Sequence, residues 1–302
     1  GGTGGGGSGG SSGGSSGASL LTAQSRISAG GSASAYILDN GSVTQWGWHA
    51  GENNAKKLVD NVTNARQVSV YGSSSNSGTH ACVIKTDNTS VCWGENSRSQ
   101  LGDNTTVDCG VGSSPTFLKT GCSTPIFDDS TAQGNLKKVE TGLKATLWLD
   151  NNGKVYSAGQ CDSGRLGVAC SGVNHKIATT VMTGVKDIDM HDGVACAHKN
   201  DDTLHCWGEN SSNAITSANS NDVETPLQIA ASVEHFDVGQ SWIAMVHDNN
   251  TVFCTDNWRS ATHGTCAGKF ASYTSVKHVY ASGHITGLLL DNGSQVSFGY
   301  DY

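Results

Sequence analysis

Hydrophobic and polar residues alternate along most of the chain in short runs. The runs recur in one order: an apolar alternating strand, a glycine, a second strand, an Asp/Asn-rich turn and a third strand. Six such units can be read. They open at "RISAGG" (from Arg26), "QVSVYG" (Gln67), "KVETG" (Lys138), "VKDIDMHDG" (Val185), "VEHFDVG" (Val233) and "VKHVYASG" (Val276). The turn inside each reads "LDNGS" (Leu38), "TDNTS" (Thr86), "LDNNGK" (Leu149), "KNDDT" (Lys199), "HDNNT" (His247) and "LDNGS" (Leu290). Asn-Gly and Asp-Asn steps accept the left-handed backbone of a tight hairpin, so each turn should join two antiparallel strands. No window shows sustained helical periodicity.

Most units start between about forty and fifty residues apart, the period of propeller blades. Short apolar stretches between them, such as "KIATTVMTG" from Lys176 and "TPLQIAAS" from Thr225, supply a fourth, outer strand. Four strands per repeat at this period predict an all-β chain folded as a β-propeller of four-stranded blades, six by repeat count. The second unit is longer by about twenty residues, too few for another blade, which predicts a surface insertion over about 103–135, outside the ring. The sixth unit stops after its third strand at "VSFGYDY", and an orphan strand, "SLLTAQS", precedes the first. Pairing of residues 19–24 with the blade that ends at Tyr302 would close the ring and remove exposed sheet edges. The domain reading is a Gly/Ser-rich arm over 1–18 and a propeller over 19–302.

Two units are near copies, "HACVIKTDNTSVCWGEN" from His80 and "ACAHKNDDTLHCWGEN" from Ala195, and the first continues "SRSQLGDNTT". This pattern closely resembles the repeat of the regulator-of-chromosome-condensation (RCC1-like) propellers, which runs apolar strand, Gly, His, strand, Asp-Gly, strand, Trp-Gly-x-Asn, Gln-Leu-Gly. The resemblance covers about 26–302 and is strong in the second and fourth units. The third keeps "GRLG" over 164–167, the sixth has Phe298-Gly299 in place of Trp-Gly, and the fifth departs furthest. The family usually has seven blades, so seven is the alternative to the count of six. What the resemblance implies about function is a binding platform. The namesake exchanges nucleotide on a small GTPase, other relatives are protein-binding scaffolds and secreted inhibitors, and one plant branch senses ultraviolet light through clustered tryptophans. Trp46, Trp93 and Trp207 recur at one repeat position and do not make such a cluster, so they read as core or inter-blade packing.

Composition agrees with many short strands and turns: 36% of residues are hydrophobic, with 40 glycines and 3 prolines. The net charge is −8 and no Lys/Arg cluster exceeds two consecutive residues, so a nucleic-acid-binding surface is not expected. No apolar run approaches the roughly 20 residues needed to cross a bilayer. No charged-then-apolar signal stands at the start, so the chain is expected to begin after any targeting signal.

The 10 cysteines fall into neighbouring pairs. Cys82 with Cys92, and Cys196 with Cys206, flank hairpins, which sets each pair on facing strands with Cα atoms about 4.5 Å apart, at the lower edge of disulfide geometry. Cys109 with Cys122, Cys161 with Cys170 and Cys254 with Cys266 have similar spacing, and only this sequential scheme keeps each bridge inside one repeat or its loop. Reduced buried cysteines and a zinc site are the alternatives, although zinc would want the C-x-x-C spacing that is absent. Disulfides imply an extracellular or cell-surface protein. Asn-x-Ser/Thr sequons begin at Asn40, Asn61, Asn88, Asn104, Asn210, Asn249 and Asn292, close to the number chance gives for this composition. Asn40, Asn88, Asn249 and Asn292 sit on hairpin turns within reach of a glycan.

No arrangement calls for catalysis or a cofactor. The 11 histidines are scattered without an H-E-x-x-H, and the G-x-S-x-G matches, the first at Gly6, all lie in low-complexity sequence over 6–17. The best acidic cluster is "DIDMHD", where Asp187, Asp189 and His191 alternate onto one strand face and Asp192 follows. These are weak candidates for a hard cation near the ring's axis. The alternative is that Ile188 and Met190 pack between blades while the polar set faces a solvated channel.

"GGTGGGGSGGSSGGSSGAS" opens the chain. As a free tail it is a flexible coil, and an engineered linker is one reading of it. Polyglycine buries no apolar side chain and loses the most backbone entropy on ordering, so any order must come from backbone hydrogen bonds or tight enclosure. Residues 1–17 are therefore expected to touch protein outside their own propeller, and such head-to-tail contacts propagate into filaments unless they close. The functional expectation is a non-enzymatic extracellular structural or adhesive subunit, joined through its arm to other protein chains, copies of itself foremost, with glycans as further partners. The alternative is a soluble secreted propeller that binds or inhibits another protein.

Overall fold

The computed structural model describes residues 26–31, 33–47, 57–59, 61–72, 79–109, 123–240, 242–255, 268, 270, 272–281 and 285–299. Among them six antiparallel sheets of three or four strands follow one another in sequence order. The first holds β1 (Ile27–Gly30), β2 (Ala33–Ile37), β3 (Val43–Gly47) and β4 (Lys57–Leu58), and the second β5 (Ala65–Tyr71), β6 (His80–Lys85) and β7 (Ser90–Gly94). The third holds β8 (Leu136–Gly142), β9 (Ala145–Asp150), β10 (Val155–Gly159) and β11 (His175–Met182). The fourth holds β12 (Val185–His191), β13 (Val194–Lys199), β14 (Leu204–Gly208) and β15 (Val223–Ala230). The fifth is β16 (Val233–Val238), β17 (Ile243–His247) and β18 (Val252–Cys254), and the sixth β19 (Val276–Ala281), β20 (Ile285–Leu290) and β21 (Gln295–Gly299). These sheets fit the expected blades, and β11 and β15 are the outer strands read from "KIATTVMTG" and "TPLQIAAS". The arm over 1–18 and the ring-closing strand over 19–24 lie outside the described residues.

The core lies between the sheets. Ile37 and Val43 of the first meet Val68, Val70, Val83 and Trp93 of the second. Ile84 of the second meets Val139, Trp148 and Tyr156 of the third, and Leu147 and Leu149 of the third meet Ile188, Met190 and Trp207 of the fourth. Further clusters join the fourth sheet to the fifth and the fifth to the sixth. A middle strand is covered on both faces, which is why β9 is buried at every position and reads as a continuous apolar run. Trp148 and Trp207 are fully buried, each stabilising the stack by about 1.5–3 kcal/mol on area grounds.

The tip between the second and third strands of each sheet uses the same local chemistry. An Asx side chain accepts the backbone N–H two residues on: Asn40 from Ser42, Asp87 from Thr89, Asp150 from Asn152, Asp201 from Thr203, Asn249 from Thr251 and Asn292 from Ser294. Each tip also carries one left-handed residue, at Gly41, Asn88, Gly153, Asp202, Asn250 and Gly293. This combination stops one strand and starts the next in register.

First strands of successive sheets touch one another, from β1 through β5, β8, β12 and β16 to β19. On β5, β8, β12, β16 and β19 the pairing register shifts just after the strand begins, at Ala65/Gln67, Leu136/Lys138, Val185/Asp187, Val233/His235 and Val276/His278. A bulge re-aims the side chains that follow it. Here it gives Gln67, Lys138, Asp187, His235 and His278 equivalent places, with Ser69, Glu140, Asp189, Asp237 and Tyr280 two residues further on.

The insertion over 103–135 was expected as a surface excursion, and its described residues differ. Cys109 pairs with Gly94, and Ser123 with Cys92, along the free edge of β7. Asp103 bridges Ile177 and Phe127 bridges Ala178, both on β11. Phe127 packs edge-on against Trp148 and Tyr156, with centroids 5.5 and 5.1 Å away, and Ala132 is fully buried. The apolar side chains of this segment are what draw it into the core.

Candidate functional site

The near-duplicate segments are explained by what they build. Cys82 and Cys92 face each other on β6 and β7 and are bonded, as are Cys196 and Cys206 on β13 and β14, each with Cα atoms 4.1 Å apart. Cys161 is bonded to Cys170 in the loop after β10, with Cα atoms 5.4 Å apart. Cys254 is disulfide-bonded as well. Cys122 and Cys266 lie outside the described residues, and with them the pairings expected for Cys109 and Cys254.

Trp-Gly-Glu-Asn ends the third strand and seats the sheet on its neighbour. Trp93 donates its indole N–H to Gln45 Oε1 at 2.7 Å, and Trp207 donates to the carbonyl of Arg165 at 3.1 Å. Trp46 is half-buried at the same position of the first sheet. Gly94 and Gly208 have φ of 115° and 110°. A Cβ on Gly94 would stand 2.5 Å from His80 Cα, and one on Gly208 would strike the carbonyl of Gly193. The terminal Asn is the hub of the following loop. Asn96 donates its N–H to Asp108 and accepts from Leu101, and Asn210 donates to Asp222 and accepts from Ile215 and Thr216.

This arrangement corrects the reading of Asn210 as a sugar acceptor. It is fully buried, and Nδ2 donates to the carbonyls of Thr216 and Asn219 at 3.1 and 2.8 Å, leaving no hydrogen or room for a glycan. Asn40, Asn61, Asn104, Asn249 and Asn292 are exposed, while Asn88 is half-buried and its side-chain oxygen accepts from Arg66. The sequons at Asn40, Asn249 and Asn292 have a turn-forming role of their own, since Asp87-x-Thr89 and Asp201-x-Thr203 do the same work without asparagine.

The richest polar array lies along the inner strands. Lys138 Nζ donates to Asp187 Oδ1 at 2.9 Å and to the carbonyl of Ile188 at 2.6 Å, and sits 3.3 Å from Glu140 Oε1. Burial opposes its charge, but Asp187 and Glu140 more than offset that and hold the ammonium above its ordinary pKa. Burial pushes the Glu140 carboxyl up to about 7 against the pull of Lys138. Asp189 accepts from the N–H of Met190 on its own strand and of Val238 on the next. Asp237 is raised well above the usual carboxylate range by burial and then by the Asp189 charge. His235 and His278 stack with centroids 4.4 Å apart, both lowered chiefly by burial.

Asp187 is thus brought to Lys138, and Asp187 and Asp189 both to backbone N–H groups. His191 stands apart, its Nδ1 3.9 Å from Asp192 Oδ2. Among the described residues no group of three or more His, Cys, Asp or Glu converges as a metal-ligand set. Near His191, Tyr71 donates to Asp192 across the end of β8, where Gly142 leaves space against the Asp192 carbonyl. Arg165 pairs with Asp162 and approaches Glu209 at 3.9 Å.

No family model matches the chain. Human E3 ubiquitin-protein ligase HERC2 is 26% identical over 219 residues, 68% of this chain and 4% of that protein. The X-linked retinitis pigmentosa GTPase regulator of Canis lupus familiaris is 28% identical over 147 residues, 47% of this chain and 14% of that protein. The chain thus spans a small fraction of these relatives. Human WBSCR16 superposes with a TM-score of 0.67 at 16% identity, covering 90% of this chain and 76% of that one. Yeast RCC1 (Prp20), solved with Kap60, gives 0.66 at 14% identity over 91% and 69%. No helix among the described residues is long and apolar enough to cross a membrane. Taken with the six meander sheets, these superpositions show a β-propeller fold similar to that of yeast RCC1 and human WBSCR16.

Proposed function

We propose that the protein is a non-enzymatic, extracellular structural or adhesive propeller that binds other protein chains, copies of itself foremost, with the arm over 1–18 as connector. The observation supporting this reading is the set of bridges Cys82–Cys92, Cys161–Cys170 and Cys196–Cys206. Such short cross-strand clips persist in oxidising compartments and are kept reduced in a cytosol. Exposed Asn40, Asn61, Asn104, Asn249 and Asn292 suit a surface that carries glycans. Yeast RCC1, similar in fold, was solved bound to Kap60, which supports a protein as the class of partner.

Electron microscopy and light scattering of the full chain, beside a variant lacking residues 1–17, test the reading. Assemblies from the full chain and dispersed single propellers from the shortened one are expected. Polymers that persist without the arm overturn its connector role. A full-length protein that stays monomeric at high concentration overturns the structural role, and a soluble secreted binder takes its place.

A further inference from the structure

The residues just after the inner-strand bulges line the seams between sheets, and their chemistry differs from seam to seam. Between the second and third sheets Gln67 bonds the backbone of Val139. Between the fifth and sixth, His235 and His278 stack with centroids 4.4 Å apart. Between the third and fourth an amine meets a carboxyl: Lys138 Nζ lies 2.9 Å from Asp187 Oδ1, and the bulges before both residues give them matching places. Among the described residues, the lysine ion pairs at Lys85, Lys154, Lys186 and Lys199 have one carboxylate each. Lys138 has two, because Glu140 Oε1 stands 3.3 Å from the same nitrogen. Its third hydrogen has the carbonyl of Ile188 at 2.6 Å. Asp187 Oδ1 also accepts the Ile188 N–H at 2.9 Å, a donor placed to hold charge that develops on that oxygen. All three side chains are half-buried.

We propose that Lys138 and Asp187 condense into an intramolecular isopeptide bond joining the third and fourth sheets, with Glu140 as the proton carrier. Burial opposes the Lys138 charge, yet Asp187 and Glu140 hold it as an ammonium, so the reaction starts from the ion pair. Glu140, pushed up to about 7 chiefly by burial, can take a proton and return it near neutrality. It relays one ammonium proton to Asp187 Oδ2, which turns the ion pair into an amine and a carboxyl. The freed lone pair of Nζ then attacks Cγ and a C–N bond forms. Glu140 carries the second proton to Oδ2, the C–Oδ2 bond breaks, and water leaves. An ammonium and a carboxylate have become a neutral amide and one water, with nothing oxidised or reduced. The third hydrogen stays on the amide nitrogen toward the Ile188 carbonyl, and Oδ1 becomes the amide oxygen that the Ile188 N–H already holds. Well-oriented groups held in contact react as though present at about 10⁵–10⁸ M, which is what allows an unactivated carboxyl to condense.

Peptide mapping of the folded full chain, held at neutral pH and then reduced and alkylated, tests the bond by mass. Lys138 and Asp187 are expected in one branched peptide, lighter by one water than the two linear peptides together. Linear peptides of full mass from the folded wild type overturn the proposal. A branched species that forms equally in urea, where the seam is absent, also overturns it. Lys138→Arg and Asp187→Ala should give no branched peptide, and one found in either places the bond elsewhere and overturns the assignment. Glu140→Gln, shown to be folded by circular dichroism, should form the bond about 10²-fold more slowly or less, the scale of general acid–base catalysis. An unchanged rate there overturns the role given to Glu140. Should a variant not fold, mapping of the wild type decides alone.

Discussion

The indole N–H of Trp207 donates to the carbonyl oxygen of Arg165 at 3.1 Å, so a buried tryptophan of the fourth sheet is held by a loop of the third. That loop runs between Cys161 and Cys170. Its disulfide therefore steadies an inter-sheet contact as well as its own turn. Cys161→Ser with Cys170→Ser should cost about 2–3 kcal/mol by the chain-entropy argument. Denaturant unfolding under non-reducing conditions measures the loss, and unchanged stability would show that the loop is held without the bridge.

Asn210→Ala removes a hub with side-chain bonds to Ile215, Thr216 and Asn219 and leaves buried polar groups without partners. A loss of about 3 kcal/mol is expected. Peptide mapping of protein secreted from a glycosylating host should find Asn210 bare, whatever the occupancy of exposed Asn40, Asn249 and Asn292.

Gly94→Ala and Gly208→Ala place a methyl group where φ is left-handed and a neighbouring backbone already stands. Each should lower stability by about 3 kcal/mol or more, through strain and displaced backbone together. Gly172→Ala is the control, with φ of 80° and nothing within 4 Å of the added carbon. About 1 kcal/mol is expected there from the dihedral alone. Equal losses at all three sites would dismiss the close-approach explanation.

Glu140 sets a pH dependence of stability. Its folded pKa is about 7 against an ordinary 4.5, so the folded chain holds the proton more tightly. Its contribution is complete below the ordinary value and is lost as pH rises through about 7. Glu140→Gln should flatten the stability curve across that interval while Lys138 keeps Asp187 as its partner. Urea titrations on both sides of neutrality read this directly.

The hairpins and sheet order were legible because Asx-x-Thr/Ser turns leave a mark within three residues of sequence, as at Asp87 and Thr89. Trp93 and Trp207 read correctly as packing, since a large apolar ring recurring beside a strand end has few other uses. The place of Phe127 was missed: spacing gave the length of the insertion, while the apolar "PIF" inside it was the available sign that it enters the core. Asp237 was missed for a different reason. "VEHFDVG" and "VKDIDMHDG" set Asp237 and Asp189 at matching positions, but the amide each accepts, from Ala281 and Val238, belongs to the adjoining sheet. Asn210 was misjudged because a sequon reads the same on a surface turn and inside a loop hub.

The segment that edges β7 through Cys109 and Ser123 and lies along β11 through Asp103 and Phe127 ties two sheets that a simple repeat would leave separate. Stability in repeat architectures is ordinarily a sum of units and their nearest interfaces. Here the second and third sheets should open as one cooperative block, last among the six in native-state exchange, and a fragment cut between them would lose both.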